Sequence, residues 1–71
     1  MTILHLRVDG VSADVDVKTM PPDIQLALKT DEGVRRAAAW HMDRPTTDFN
    51  DSIIERHENG NMTLRPEAVF G

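Results

Sequence analysis

Asp9-Gly10, set between two runs of alternating apolar residues, constrains this chain more than any other feature. Thr2-Ile3-Leu4-His5-Leu6-Arg7-Val8 precedes it and Val11-Ser12-Ala13-Asp14-Val15-Asp16-Val17-Lys18 follows. Asp-Gly favours the two-residue hairpin turn in which both central residues take positive φ. With that turn Val8 faces Val11, Leu6 faces Ala13, Leu4 faces Val15 and Thr2 faces Val17. One face is then apolar, and the other carries Ile3, His5, Arg7, Ser12, Asp14, Asp16 and Lys18. A slip of one residue would bring side chains of opposite faces together, so the pattern sets its own register.

The rest must complete a core around this hairpin with little material. A chain of 71 residues makes one domain, 1–71, and at this size buries only about 60% of the surface its unfolded form exposes. Its aromatics are Trp40, Phe49 and Phe70, so the core is a thin layer, a sheet covered by a helix. The absence of cysteine excludes disulfides and thiolate metal sites and suits a reducing, cytoplasmic setting. No apolar run approaches the roughly 20 residues of a membrane span, and Met1-Thr2-Ile3-Leu4-His5 lacks the basic start and apolar centre of a signal peptide.

Beyond the hairpin, Pro21 and Pro22 end the second strand. Thr19 as N-cap, proline in a first turn and Asp23 near the positive helix end form a start signal. Ile24 to Lys29 reads two ways: Ile24, Ala27 and Leu28 suit a helix, whereas Ile24, Leu26 and Leu28 alternate as in a strand. The start signal and the propensities favour the helix. Thr30 caps a second start, and Asp31 and Glu32 suit its first turn. Val34 to Met42 is then helical, with Asp31–Arg35 and Glu32–Arg36 as four-apart ion pairs. Val34, Ala37, Ala38 and His41 share a face flanked by Trp40 and Met42. The alanines allow close approach to the sheet, and Trp40 covers what they leave open. Gly33 either bends one long helix or separates two short ones. Asp43 to Asp48 is a loop, with Pro45 disfavouring helical geometry at Arg44, and Phe49 plugs the core.

Ser52 to Glu67 forms a second hairpin around Asn59-Gly60. A two-residue loop pairs His57 with Met62 and Glu55 with Leu64. A three-residue loop with Gly60 left-handed pairs Arg56 with Met62 and Ile54 with Leu64, and matches aliphatic partners better. Pro66 sits at an edge or past the end of its strand, and Ala68-Val69-Phe70 can fold back onto the core.

No stretch carries a chemical signature. His5 lies across from Asp14, a pair able to orient an imidazole for base catalysis, yet no nucleophile is aimed at it and a cross-strand surface pair explains it. His5, His41 and His57 match no zinc spacing. Asp48, Asn50 and Asp51 lack the glycine and distal glutamate of a calcium loop. No cofactor, metal site or catalytic residue is expected. Arg35, Arg36 and Arg44 are the only basic cluster, and the two helices around Thr30 could form a helix-turn-helix. Asp31 and Glu32, however, stand where its second helix would meet phosphate.

Twelve acidic residues oppose eight basic ones, a net charge of −4. A phosphate-binding domain is expected to be basic or to carry a basic stripe; the complement of an acidic surface is a basic one. Asp9, Asp14 and Asp16 make one acidic strip, and Asp43, Asp48 and Asp51 another. These six are the candidate partner-binding residues. Solubility charge alone accounts for the same composition.

The strand-strand-helix-strand-strand order, carried by the Asp9-Gly10 hairpin and the helix ending at Met42, resembles the β-grasp fold of ubiquitin-like proteins and sulfur carriers. Sulfur carriers activate a C-terminal Gly-Gly; this chain ends Val69-Phe70-Gly71, so only the architecture carries over. Small size, lack of cysteine, acidic balance and a bare hairpin-helix-hairpin also resemble small phage-encoded inhibitors, anti-CRISPR proteins among them. That resemblance implies blockade of a CRISPR effector or another nucleic-acid-handling complex, by an acidic surface laid over its basic ground.

The expectation is an α+β domain, a mainly antiparallel sheet of about four strands in two hairpins with a helical segment on one face. The expected function is non-catalytic binding that inhibits a protein partner with a basic surface, without direct nucleic-acid or membrane contact. The alternatives are an antitoxin or accessory subunit docking through the tail from Glu67 to Gly71, and a β-grasp interaction module. A third class, an enzyme using His5, has no identifiable substrate.

Overall fold

The computed structural model describes residues 1–67, so the expected return of Ala68-Val69-Phe70 to the core lies outside the described residues. Strands β1 (Ile3–Val8) and β2 (Val11–Asp16) form the first hairpin. Their register is Val8 with Val11, Leu6 with Ala13 and Leu4 with Val15, as the alternation requires. Asp9 and Gly10 both have positive φ, 51° and 78°, which is the geometry that matches strand twist across a two-residue turn. β2 is shorter than its apolar pattern suggests. Val17–Thr19 turns into a single 3-10 helix, although the Val17 N–H still reaches the Thr2 carbonyl at 3.0 Å.

Helix α1 (Pro22–Ala27) follows. Pro22 stands in its first turn, where a missing N–H costs nothing. Pro21 occupies the N-cap position, so Thr19 is not the cap; its hydroxyl instead donates to the Asp16 carbonyl at 2.7 Å. Helix α2 (Asp31–Met42) begins at Thr30, whose hydroxyl oxygen accepts from the Gly33 N–H at 3.0 Å. It ends at Asp43, a left-handed residue (φ 53°), the conformation that most often stops a helix. Gly33 thus belongs to the first turn of the second of two helices.

A 3-10 helix, Thr46–Phe49, carries Phe49 into the core, where it is fully buried. Strands β3 (Ser52–Arg56) and β4 (Met62–Pro66) complete the sheet. Arg56 pairs with Met62 and Ile54 with Leu64, the three-residue-loop register. Gly60 has φ 92°, and the His57 N–H donates to the Asn61 carbonyl at 2.9 Å.

The strand order is β2-β1-β4-β3, with antiparallel hairpins outside and a parallel β1–β4 pair in the centre. A parallel pair needs a long crossover connection, and residues 17–51, with both helices, provide it. The Asn61 side-chain oxygen accepts from the Ile3 N–H at 2.9 Å and ties the second hairpin to the start of β1. β1 meets β4 only at Met62–Leu64. Pro66 therefore ends an interior strand rather than lying on an edge, and the central ladder loses no bond to it.

Leu4, Leu6, Val8, Val15, Met62 and Leu64 bury one face of the sheet under Ile24, Leu28, Val34, Ala37 and Ala38. Two expectations for α2 fail. Trp40 is 43% exposed and does not belong to the core cluster. His41 is also exposed, and Ala39 is buried in its place with Met42 packed against the core. The apolar stripe turns from the sheet toward the 3-10 helix that holds Phe49. The ion pairs differ as well. Asp31 pairs with Arg56 at 3.2 Å and Arg36 with Asp23 at 3.0 Å, and Glu32 reaches Arg35 at 3.6 Å. An exposed four-apart pair is worth only a few tenths of a kcal/mol, so tertiary partners displace it easily.

Candidate functional site

The topology gathers several chain positions at one end of the sheet. β1 and β4 run parallel and end there, at Val8 and Pro66, while β3 begins there at Ser52. The Asp9-Gly10 turn, the Asp43–Asp48 loop after α2 and the exit of β4 therefore meet. They line a cleft of about 270 Å³ formed by Val8, Asp9, Arg44, Asp48, Asp51, Ser52, Pro66 and Glu67. Four carboxylate residues and one arginine are among them. Arg44 donates to Asp9 at 2.8 Å and to Asp48 at 3.0 Å, and its guanidinium lies 5.5 Å from the Phe49 ring centre. Hydrogen bonding to Asp9 first, then Asp48, raises the Arg44 pKa further, so Arg44 is a fixed positive strut. Asp51 and Glu67 make no ion pair among the described residues.

Of the six aspartates expected to meet a partner, Asp9, Asp48 and Asp51 come together here. Asp43 is adjacent in sequence but serves as the left-handed end of α2. Asp14 and Asp16 lie apart, on β2. Not all of these carboxylates stand free. Asp9 and Asp48 are matched by Arg44, and Asp14 by His5 and Arg7. Asp16 accepts from the Lys18 N–H at 2.9 Å. Arg44 and Glu67 went unrecognised as members of this cluster. The four-residue spacing of Arg44 and Asp48 was visible in sequence, but nothing local announces Asp9, thirty-five positions from Arg44.

All six arginines, Arg7, Arg35, Arg36, Arg44, Arg56 and Arg65, are paired with the chain's own carboxylates. The expected basic cluster of Arg35, Arg36 and Arg44 is therefore internally neutralised. Asp16, Asp43, Asp51, Glu58 and Glu67 have no ion-pair partner among the described residues.

The sheet face opposite the helices carries the other polar constellation. His5 Nδ1 lies 2.8 Å from an Asp14 carboxylate oxygen, which Arg7 also approaches at 3.2 Å. On β4, Thr63 Oγ1 is 2.8 Å from His57 Nε2, and the two imidazoles stand edge to face at 6.5 Å. Carboxylate–imidazole and imidazole–hydroxyl contacts could in principle order a base and a nucleophile. Here they belong to two different histidines, and none of these residues lines the cleft. Among the described residues no cluster of histidine and carboxylate side chains has the geometry to hold a metal ion, and no helix is long and apolar enough to cross a membrane.

The hydrogen bond from His5, then that from Arg7, holds the Asp14 carboxyl below its ordinary value. Stability from this carboxylate is complete above the ordinary aspartate value, and is lost as pH falls through the lowered value in the folded protein. Asp14 is well exposed, so solvent screening keeps the contribution small. Thermal unfolding followed against pH should show an acid limb that Asp14→Asn makes shallower. An unchanged limb would remove Asp14 from the acid response.

Comparison with protein-family models, curated proteins and solved structures finds no match to this chain.

Proposed function

We propose that this chain is a non-catalytic binding protein that docks, through its acidic end, on the basic surface of a nucleic-acid-handling protein and keeps nucleic acid out. The observation that carries the reading is the cleft at the Asp9-Gly10 end, lined by Asp9, Asp48, Asp51 and Glu67 together with the cation Arg44. At about 270 Å³ it falls short of the roughly 300–1,000 Å³ of small-molecule pockets, and it suits one long basic side chain of a partner better than a substrate. The engagement of every arginine with the chain's own carboxylates argues against phosphate binding by this chain itself, since phosphate neutralisation by Lys and Arg drives nucleic-acid affinity. Blockade of this kind is the mode of action implied by the resemblance to small phage-encoded inhibitors of the anti-CRISPR type, acting in the cytoplasm. Asp14 and Asp16 form a second, smaller acidic strip on β2.

The test is co-purification from the host with mass spectrometry, then affinity measurement on the captured partner. Asp51→Lys with Glu67→Lys reverses two charges without breaking an ion pair among the described residues. Like charges brought together across an interface cost several kcal/mol, so affinity should fall at least about tenfold. The wild-type chain should displace nucleic acid from the partner and shift no nucleic acid alone. Unchanged affinity in the double variant, or direct nucleic-acid binding, would refute the proposal.

One observation favours a second reading. A parallel β1–β4 pair between two outward hairpins, with helices on one face, supports the β-grasp resemblance and an interaction module of the ubiquitin-like kind. The accessory-subunit reading depends on a tail whose residues 68–71 lie outside the described residues.

A further inference from the structure

The sheet has two edges, β2 and β3, and they are finished differently. On β3, Arg35 donates to the Ser52 carbonyl at 3.2 Å and blunts the edge. β2 has no such cover. The two-residue turn makes Val8–Val11 a hydrogen-bonded pair, and antiparallel pairs alternate. Val11, Ala13 and Val15 therefore bond inward to β1, consistent with the Val17 N–H reaching the Thr2 carbonyl. Ser12, Asp14 and Asp16 direct their backbone groups outward. The Asp16 carbonyl is taken by the Thr19 hydroxyl, and the others have no partner among the described residues. β2 contains no proline, lysine or bulge; of the usual guards of an exposed edge it has only two charged side chains, Asp14, which is held by His5 and Arg7, and Asp16. Beside this edge, on the apolar face, Val11 is 49% exposed.

We propose that β2 is a self-association strand, pairing antiparallel with β2 of a second copy around a two-fold axis at Ala13. The outward groups of residues 12, 14 and 16 must meet in hydrogen-bonded pairs, which leaves few registers. An axis at Asp14 opposes Asp14 to itself, and an axis at Val15 opposes Asp14 to Asp16. Like charges directly across a ladder are destabilising. An axis at Ser12 sets Asp14 against the turn residue Gly10. Only the Ala13 axis opposes Ser12 to Asp14 twice, so that each serine hydroxyl can donate to a carboxylate that enters the seam already paired with His5 and Arg7. The same register sets exposed Val11 beside Val15 of the second copy. The occupant is a second copy because this strand complements itself in charge and in apolar spacing. The inference does not depend on the docking proposal, whose cleft lies at the Asp9-Gly10 turn and in the Asp43–Asp48 loop rather than along the β2 edge.

Sedimentation equilibrium over a concentration series decides it. The mass should rise from 8.0 kDa toward twice that value. Ser12→Pro removes an outward N–H and leaves every inward bond of the hairpin, a position where an edge strand tolerates proline. It should hold the protein at 8.0 kDa. Val11→Lys, on an exposed side chain, should do the same and decides the matter if Ser12→Pro does not fold. A wild-type chain that stays monomeric up to its solubility limit overturns the proposal. So does a dimer that persists in either folded variant.

Discussion

Gly33→Ala is expected to cost the protein about 3 kcal/mol or more and to lower its unfolding midpoint steeply. A methyl group on Gly33 would sit 1.6 Å from the Ala27 carbonyl oxygen and 2.3 Å from its carbon. The obstacle is backbone at the end of α1, not a side chain that can rotate aside. That carbonyl is also held in place, accepting from the Thr30 N–H and the Thr30 hydroxyl, each at 3.2 Å. Relief requires moving α1 away from α2, which would withdraw Ile24 and Leu28 from the core. Overpacking usually costs about 1–3 kcal/mol and occasionally more. With no soft neighbour to yield, the upper end or beyond applies, against a total stability of about 4–11 kcal/mol for this length. The sign makes the measurement decisive. Were the site open, alanine would stabilise the helix by about 1 kcal/mol over glycine. A urea titration in which Gly33→Ala unfolds at or above the wild-type midpoint would show that the α1–α2 contact does not exist in solution.

That contact also shows where sequence reasoning stops. Gly33 was visible as a break between helical signals, and Thr30 as a cap, because both act locally. What forbids a side chain at Gly33 is the carbonyl of Ala27, whose position depends on how α1 turns back. The first hairpin was legible in full because a period of two and a two-residue turn each specify its register independently. In the second, turn chemistry required Gly60 to be left-handed but admitted two registers. The observed one joins Ile54 to Leu64 and lets the Arg56 stem lie against Met62, with its guanidinium donating to the Leu28 carbonyl at 3.0 Å. Strand order was illegible, since the parallel pair joins residues 58 positions apart, with the Asn61–Ile3 hydrogen bond beside it.

Trp40 misled for a similar reason. It lies two helical turns beyond Gly33, on the same side of α2. α1 shields that side near Gly33 and reaches Arg36 through Asp23, and Trp40 lies beyond. The acidic residues were legible as charge but not as a surface. Their grouping at one end follows from the parallel β1–β4 pair, which brings the first turn and the last strand's exit together.

Phe49→Ala should have the second large effect and should reach the candidate site. Phe49 heads the fully buried side chains by volume, with Leu4, Leu6, Leu64 and Val34 behind it. It enters the core from a four-residue 3-10 helix, too short to be stable on its own. Truncating a buried phenylalanine costs about 3–5 kcal/mol, which would remove about a quarter or more of even the upper estimate of stability, about 11 kcal/mol. Phe49→Leu keeps most of the volume and should retain the fold. The two together separate packing from site geometry. Arg44 rests on the Phe49 ring while bonding Asp9 and Asp48. The leucine variant should therefore fold but hold Arg44 less firmly, leaving the four carboxylates of the cleft less well screened by their one cation. Denaturant titration should show a large midpoint loss for alanine and a small one for leucine. A Phe49→Ala protein with a wild-type midpoint would mean that the 3-10 helix does not seat this ring in the core, and the cleft built upon it would fall with it.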